Sequence, residues 1–237
     1  MTEEFCKISE NIKRINENIT RAALKSGRSE NDVNLVAVTK TVDVERINYA
    51  LSCGVKYIGE NKVQEFLQKR DSLNLDGVSA HLIGHLQTNK VSKIVGQVDM
   101  IESVDSVRLA EAISKKSLEL GIKTDILLQV NIGREESKSG ILPEFLFETA
   151  DEISRFEGVV IRGLMAIPPA YGNNAEKCKF FSNMSKLFID IKGKKMDNSY
   201  VNVLSMGMSG DYELAVECGA TLVRVGTGIF GYRNYNI

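Results

Sequence analysis

Lys40 directly follows the apolar run Leu35-Val36-Ala37-Val38-Thr39. A lysine partly withdrawn from water has its charged form disfavoured. Its amine is then free to attack a carbonyl and form a Schiff base. On position alone, a solvated lysine at a strand end is the commoner case, because lysine is rarely buried. The stretch Val223-Arg224-Val225-Gly226-Thr227-Gly228-Ile229-Phe230-Gly231 shifts that balance. Its G-x-G-x-x-G spacing suggests a dinucleotide-binding turn, but the six residues after Gly231 leave no room for the helix and second strand of that unit. The same glycines, opening a short helix, expose backbone N–H groups that can hold a phosphate. Ser205-Met206-Gly207-Met208-Ser209 is another small, hydroxyl-bearing turn, in which Ser209, or Asp211 just beyond, has the alternative role of capping the next helix.

Arg224 interrupts an apolar strand, and alternation sends it to the face opposite Val223 and Val225. Two readings are open. Facing a ligand, it needs an acceptor there; lying under helices, it needs a carboxylate, because a buried unpaired guanidinium is costly. His81 and His85 are four apart, a metal-ligand spacing on a helix. Gly84 between them marks a strand end, where residues that far apart do not converge on one ion. With no other histidine and no cysteine nearby, no metal site is expected. Ser137-Lys138-Ser139-Gly140 is a small polar loop, as consistent with a solvated turn as with a ligand contact.

Something has to bring these groups together. Phe5, Ile8, Ile12, Ile15 and Ile19 recur at helical spacing through residues 3–25, and Ser26-Gly27 ends that helix. Eight short apolar runs follow, at 34–39, 55–59, 80–83, 100–104, 125–130, 159–166, 200–205 and 221–225. Helix-compatible stretches separate them, most plainly 106–120, 143–156 and 175–191. Such alternation implies parallel strands joined by crossover helices, and short apolar runs imply strands covered on both faces. The expected fold is α/β, a single (β/α)8 barrel domain over residues 1–237, with a doubly wound sheet as the alternative. The first helix precedes the first strand, so it is expected to cover or flank the barrel. In this architecture the working face is the C-terminal end of the strands, and phosphate sites commonly follow strands seven and eight. Closure makes strands one and eight neighbours, which brings Lys40 and Arg224 to one ligand.

A formal charge of −1 gives no electrostatic case for a nucleic-acid or membrane partner. No apolar run is long enough to span a bilayer, and the polar first twenty residues lack the apolar centre of a signal peptide. Cys6, Cys53, Cys178 and Cys218 are scattered, with no C-x-x-C pair to suggest a disulfide framework or structural zinc. A soluble cytoplasmic protein is expected.

Seven segments carry a more specific signal. They are AVTKT at 37–41, GENKVQE at 59–65, HLIGHLQTNK at 81–90, SKSGI at 137–141, GLMAIP at 163–168, LSMGMS at 204–209 and RVGTGIFG at 224–231. In this order they resemble the pyridoxal phosphate homeostasis proteins, single-domain relatives of the alanine racemase N-terminal barrel. The resemblance implies pyridoxal 5′-phosphate (PLP) as cofactor, with Lys40 as the Schiff-base lysine. It implies that Ser205, Gly226 and Thr227 hold the phosphate, with Arg224 at the pyridine nitrogen and Asn61 near the ring. It further implies a monomer whose partners are PLP and PLP-dependent apoenzymes. Three departures stand out: Val42-Asp43 where the family often has Lys-Pro, Ala80 where it often has tryptophan, and His85 where proline is common. The missing second basic residue near Lys40 is expected to alter how cofactor is accepted or passed on.

Two functions from different classes remain: a PLP-binding homeostasis protein without turnover, and a PLP-dependent amino-acid racemase. Racemisation needs an acid and a base on opposite faces of one carbon. The family comparison implies that two-domain racemases take the opposing tyrosine from a second domain, which is not expected here. An arginine at the pyridine nitrogen also makes the ring a weaker electron sink than a carboxylate would. A Schiff-base aldolase acting on a sugar phosphate is a third, less favoured reading.

Overall fold

The structure, a computed structural model, describes residues 3–169 and 173–231. Its strands are β1 (Asn34–Val38), β2 (Tyr57–Glu60), β3 (Ser79–Leu82), β4 (Met100–Val104), β5 (Thr124–Val130), β6 (Val159–Ala166), β7 (Ser199–Ser205) and β8 (Leu222–Val225). They close in sequence order into a parallel barrel. The seam is β1 against β8, where Val36 lies opposite Arg224 and Ala37 opposite Val225. Every expected apolar run carries a strand within two residues, because strands largely covered on both faces are mostly apolar.

Helices α2 (Val44–Ser52), α3 (Val63–Lys69), α4 (Val91–Ile94), α5 (Val107–Glu119), α6 (Leu146–Ser154), α7 (Asn174–Gly193) and α8 (Tyr212–Glu217) form most of the outer layer. Their starts are written locally. Asp43 caps α2 through the Arg46 N–H, Ser106 caps α5, and Asn173 with Glu176 forms a capping box for α7. Asp43, one of the family departures, is therefore occupied by a cap and an ion pair to Arg46.

Among the described residues, β8 is followed by a one-turn helix, α9 (Thr227–Phe230). The ring of helices also contains α1 (Glu3–Lys25), which packs on α2, α8 and α9. Its Ile8, Ile12, Ile15 and Ile19 are buried on that face. Polar clasps fix it there. The Asn11 amide donates to the Ile229 carbonyl (3.0 Å) and the Asn18 amide to the Tyr212 hydroxyl (2.9 Å). The helix flanks the barrel as expected, and it does so by completing the helical ring.

The barrel interior is layered. Met100, Leu127 and Met165 form an apolar cluster with Val203. Two residues further along β4 and β7, alternation places Glu102 and Ser205 inside, directly towards the C-terminal mouth. Strand β6 accommodates its neighbour through Gly163, whose φ is +150° and where a Cβ would lie 1.8 Å from the Val203 carbonyl oxygen. Two cysteines that are 40 residues apart in sequence meet in space: Cys178 Sγ lies 3.5 Å from Cys218 Sγ. Burial, with the neighbouring Cys178, pushes the Cys218 thiol up to about 11, so it stays protonated at neutral pH. Among the described residues, no helix is long and apolar enough to cross a membrane.

Candidate cofactor site

A cleft of about 290 Å³ opens at the C-terminal ends of the strands. Lys40, Asn61, Ser209, Arg224, Gly226 and Thr227 line it, with Val38, Ile83, Ile167 and Met208 as its apolar walls. The structure thus gathers five of the six residues expected at the cofactor, and closure of β1 on β8 brings Lys40 and Arg224 to one cavity. The sixth, Ser205, does not line the cleft.

Lys40 lies two residues past the end of β1 and is half-buried. Thr41 after it has φ +57°, an unusual conformation for a β-branched residue, so the chain turns sharply at that point. Asn61 follows β2 and is pressed against the start of the next loop. A Cβ on Gly84 would fall 2.3 Å from the Asn61 carbonyl oxygen, so only glycine permits this approach.

Opposite Lys40, the two turns after β7 and β8 interlock. The N–H groups of Gly226 and Gly228 both donate to Ser209 Oγ, at 3.3 and 3.1 Å. The Met208 N–H donates to the Asp211 carboxylate at 2.8 Å. Asp211 sits at the N-cap position of α8 but makes no side-chain cap there. Neither residue caps that helix; both shape the loop. Converging backbone N–H groups of this kind form a nest for an anionic oxygen.

Beneath the cleft lies a buried polar layer drawn from four strands. His81 Nδ1 is 2.7 Å from one oxygen of Glu102, and the Ser205 hydroxyl donates to the other at 2.6 Å. Arg224 donates to Ser205 Oγ and, at 2.8 Å, to the Ala166 carbonyl; its Nη1 is 3.8 Å from Glu102. Burial by itself raises the Glu102 carboxyl. The hydrogen bond and charge of His81, then Arg224 and Ser205, outweigh it and hold the group below its ordinary value. Burial lowers the Arg224 guanidinium, and the Glu102 charge opposes that. The two readings of Arg224 are therefore not alternatives. It has its carboxylate, inside the barrel rather than under the helices, and it still reaches the ligand cleft.

Ser205, expected at the phosphate, is fully buried one level lower, where its hydroxyl donates to Glu102 and accepts from Arg224. Four residues later the loop has risen to the rim, where Ser209 stands. The two histidines separate as well. His81 is 3% exposed inside the barrel, while His85 is exposed near Asp105 and Ser139. The 137–140 loop lines an adjoining recess that shares Asn61, Ile83 and Ile167 with the main cleft, and Lys138 there is paired with Glu135 at 2.6 Å.

Residues 11–234 match the family described as alanine racemase, N-terminal domain. A pyridoxal phosphate homeostasis protein of Aquifex aeolicus is 41% identical over 226 residues, covering 95% of this chain and 98% of that protein. The chain belongs to the pyridoxal phosphate homeostasis protein family. Family resemblance extends to solved structures. PipY of Synechococcus elongatus, solved with PLP bound, superposes with a TM-score of 0.80 at 35% identity, over 94% of this chain and all of that one. An alanine racemase of Clostridium difficile shares the fold, with a TM-score of 0.67 at 16% identity; the match covers 94% of this chain and 56% of the racemase.

Proposed function

We propose that the chain holds PLP as a Schiff base on Lys40 and serves intracellular PLP homeostasis without turning over a substrate. The observation that carries this reading is convergence. One cleft collects a half-buried lysine, a charge-paired arginine and a small turn in which two backbone N–H groups converge on the Ser209 hydroxyl oxygen. Those are partners for an aldehyde, a pyridine nitrogen and a phosphate. The names of the relatives and the PLP bound to PipY support the same reading. When bound, PLP supplies an electron sink conjugated to the lysine imine.

Each residue then has a defined task. Lys40 offers the amine, and Asn61 flanks the ring. The turn in which the Gly226 and Gly228 N–H groups converge on Ser209 Oγ offers the phosphate its place, with Thr227 beside it. Ser205 instead steers Arg224. A guanidinium only donates hydrogen bonds, so Arg224 suits an unprotonated pyridine nitrogen and leaves the ring a weak sink. Among the described residues lining this cleft, only Lys40 and Arg224 are ionisable, and a guanidinium does not readily give up a proton, which leaves Lys40 as the one candidate acid–base group. A racemase needs two such groups on opposite faces. In this reading the chain is a cytoplasmic monomer and passes PLP to PLP-dependent apoenzymes.

Two measurements check it. Pyridoxal, lacking the phosphate, should bind far more weakly than PLP in a titration, because charge-assisted hydrogen bonds to a dianion are the strong ones in this cleft. Equal affinity for the two vitamers would refute the phosphate site. PLP-loaded protein incubated with a panel of amino acids should show no racemisation or decarboxylation approaching about 1 s⁻¹. Turnover at that rate would make the protein an enzyme.

A further inference from the structure

The residues on either side of Lys40 are held by a charged cluster outside the cleft. Lys69, at the end of α3, is only 15% exposed and uses three hydrogen bonds, the full donor capacity of an ammonium. Its Nζ donates to the Thr39 carbonyl (3.1 Å), to Glu60 (3.1 Å) and to Glu65 (2.6 Å). Glu65, one helical turn before Lys69, in turn accepts the N–H of Thr41 at 2.5 Å. Glu60 accepts the Thr39 hydroxyl at 3.0 Å and, through its other oxygen, the N–H of Asn61 at 3.1 Å. The peptide before Lys40 and the peptide after it are thus fastened to one ion-pair cluster. Thr41, with its positive φ, is the residue that most needs such fastening.

We propose that Lys69 is a positioning residue, which aims the Lys40 amine at the cofactor aldehyde by anchoring both flanks of its turn through Glu60 and Glu65. This inference rests on the Schiff-base reading of Lys40. In the step concerned, the Lys40 nitrogen bonds to the aldehyde carbon and the carbonyl oxygen leaves as water. The phosphate cradle lies on the β7 and β8 loops, and among the described residues no hydrogen bond or ion pair joins it to the cluster. Aiming the amine and holding the phosphate are therefore separable. A surface ion pair would be worth little, but this one is largely withdrawn from solvent and fully hydrogen-bonded.

The test uses pyridoxine 5′-phosphate, which carries an alcohol in place of the aldehyde and cannot condense with an amine. Lys69→Met should weaken PLP binding roughly tenfold or more, in line with loss of hydrogen bonds to charged groups. It should leave pyridoxine 5′-phosphate affinity within about twofold and reduce borohydride-trapped label on Lys40. Burial raises the Glu60 carboxyl while Lys69 pulls it back, so Lys69→Met strands a buried acid. The double variant Glu60→Gln/Lys69→Met removes both charges and should show the same selective loss in a folded protein. Lys69→Arg should recover part of the PLP affinity. Parallel loss of both ligands in the double variant, or loss of neither, overturns the inference. A wild-type protein with no reducible imine on Lys40 overturns the Schiff-base reading beneath it as well.

Discussion

Lys40→Ala should abolish the visible imine absorption of the PLP-loaded protein and leave borohydride nothing to reduce at that position. Peptide mapping of the reduced wild type should place the pyridoxyl mass on the Lys40 peptide. Label on Lys62, Lys90 or Lys138, with Lys40 unmodified, would refute the assignment. The variant should still bind PLP through the phosphate cradle, because Gly226, Gly228 and Ser209 are fixed to one another independently of β1. Its fold should be intact, since among the described residues no hydrogen bond or ion pair ties the Lys40 amine to the protein. The expected signature is a protein that binds PLP reversibly, shows no imine band and releases the ligand on simple dialysis.

Glu102→Leu should produce the largest loss of stability, about 3–5 kcal/mol in urea unfolding, because it leaves the Arg224 guanidinium buried without its counter-charge. Glu102→Leu/Arg224→Leu should recover most of that loss, since a buried pair replaced by apolar groups is often neutral. A double variant as unstable as the single one would show that packing, and not the stranded charge, sets the cost. The sign of the pH dependence follows from the lowered Glu102 carboxyl. Its contribution is fully present above the ordinary value of 4.5 and is lost as pH falls through the lower folded value. Wild type should therefore lose stability with acid more steeply in that range than Glu102→Leu does.

Strand positions were legible because burial on both faces keeps most residues of each run apolar, and β4 shows the limit of that signal. Residues 100–104 read as an apolar run although Glu102 sits at its centre. A carboxylate in the middle of a fully buried strand has to be paired. That argument, applied to Glu102 and Arg224 together, would have joined them from sequence. Ser205 and Ser209 were harder. Both belong to one S-M-G-M-S turn, and only the path of the loop decides which hydroxyl reaches the rim. Lys69 gave no warning at all. With Glu65 at i,i+4 it reads as an ordinary exposed helix pair, and its grip on Thr39 exists only once β1 and α3 are neighbours. Asp43 was legible as a departure from family pattern, while its use as a helix cap became plain in three dimensions.

The placement of α1 sets a timetable for synthesis. This helix leaves the ribosome ahead of every strand, yet its partners α8 and α9 are made at the far end of the chain; Asn11 and the Ile229 carbonyl it clasps are 218 residues apart. At about 5–20 residues per second, that interval is on the order of 10–40 s. Throughout it, the stripe of Ile8, Ile12, Ile15 and Ile19 has none of its β8-side neighbours to cover it. Ring completion by α1 makes the joining of these distant segments a late event of folding, and such long-range closure slows the approach to the native state.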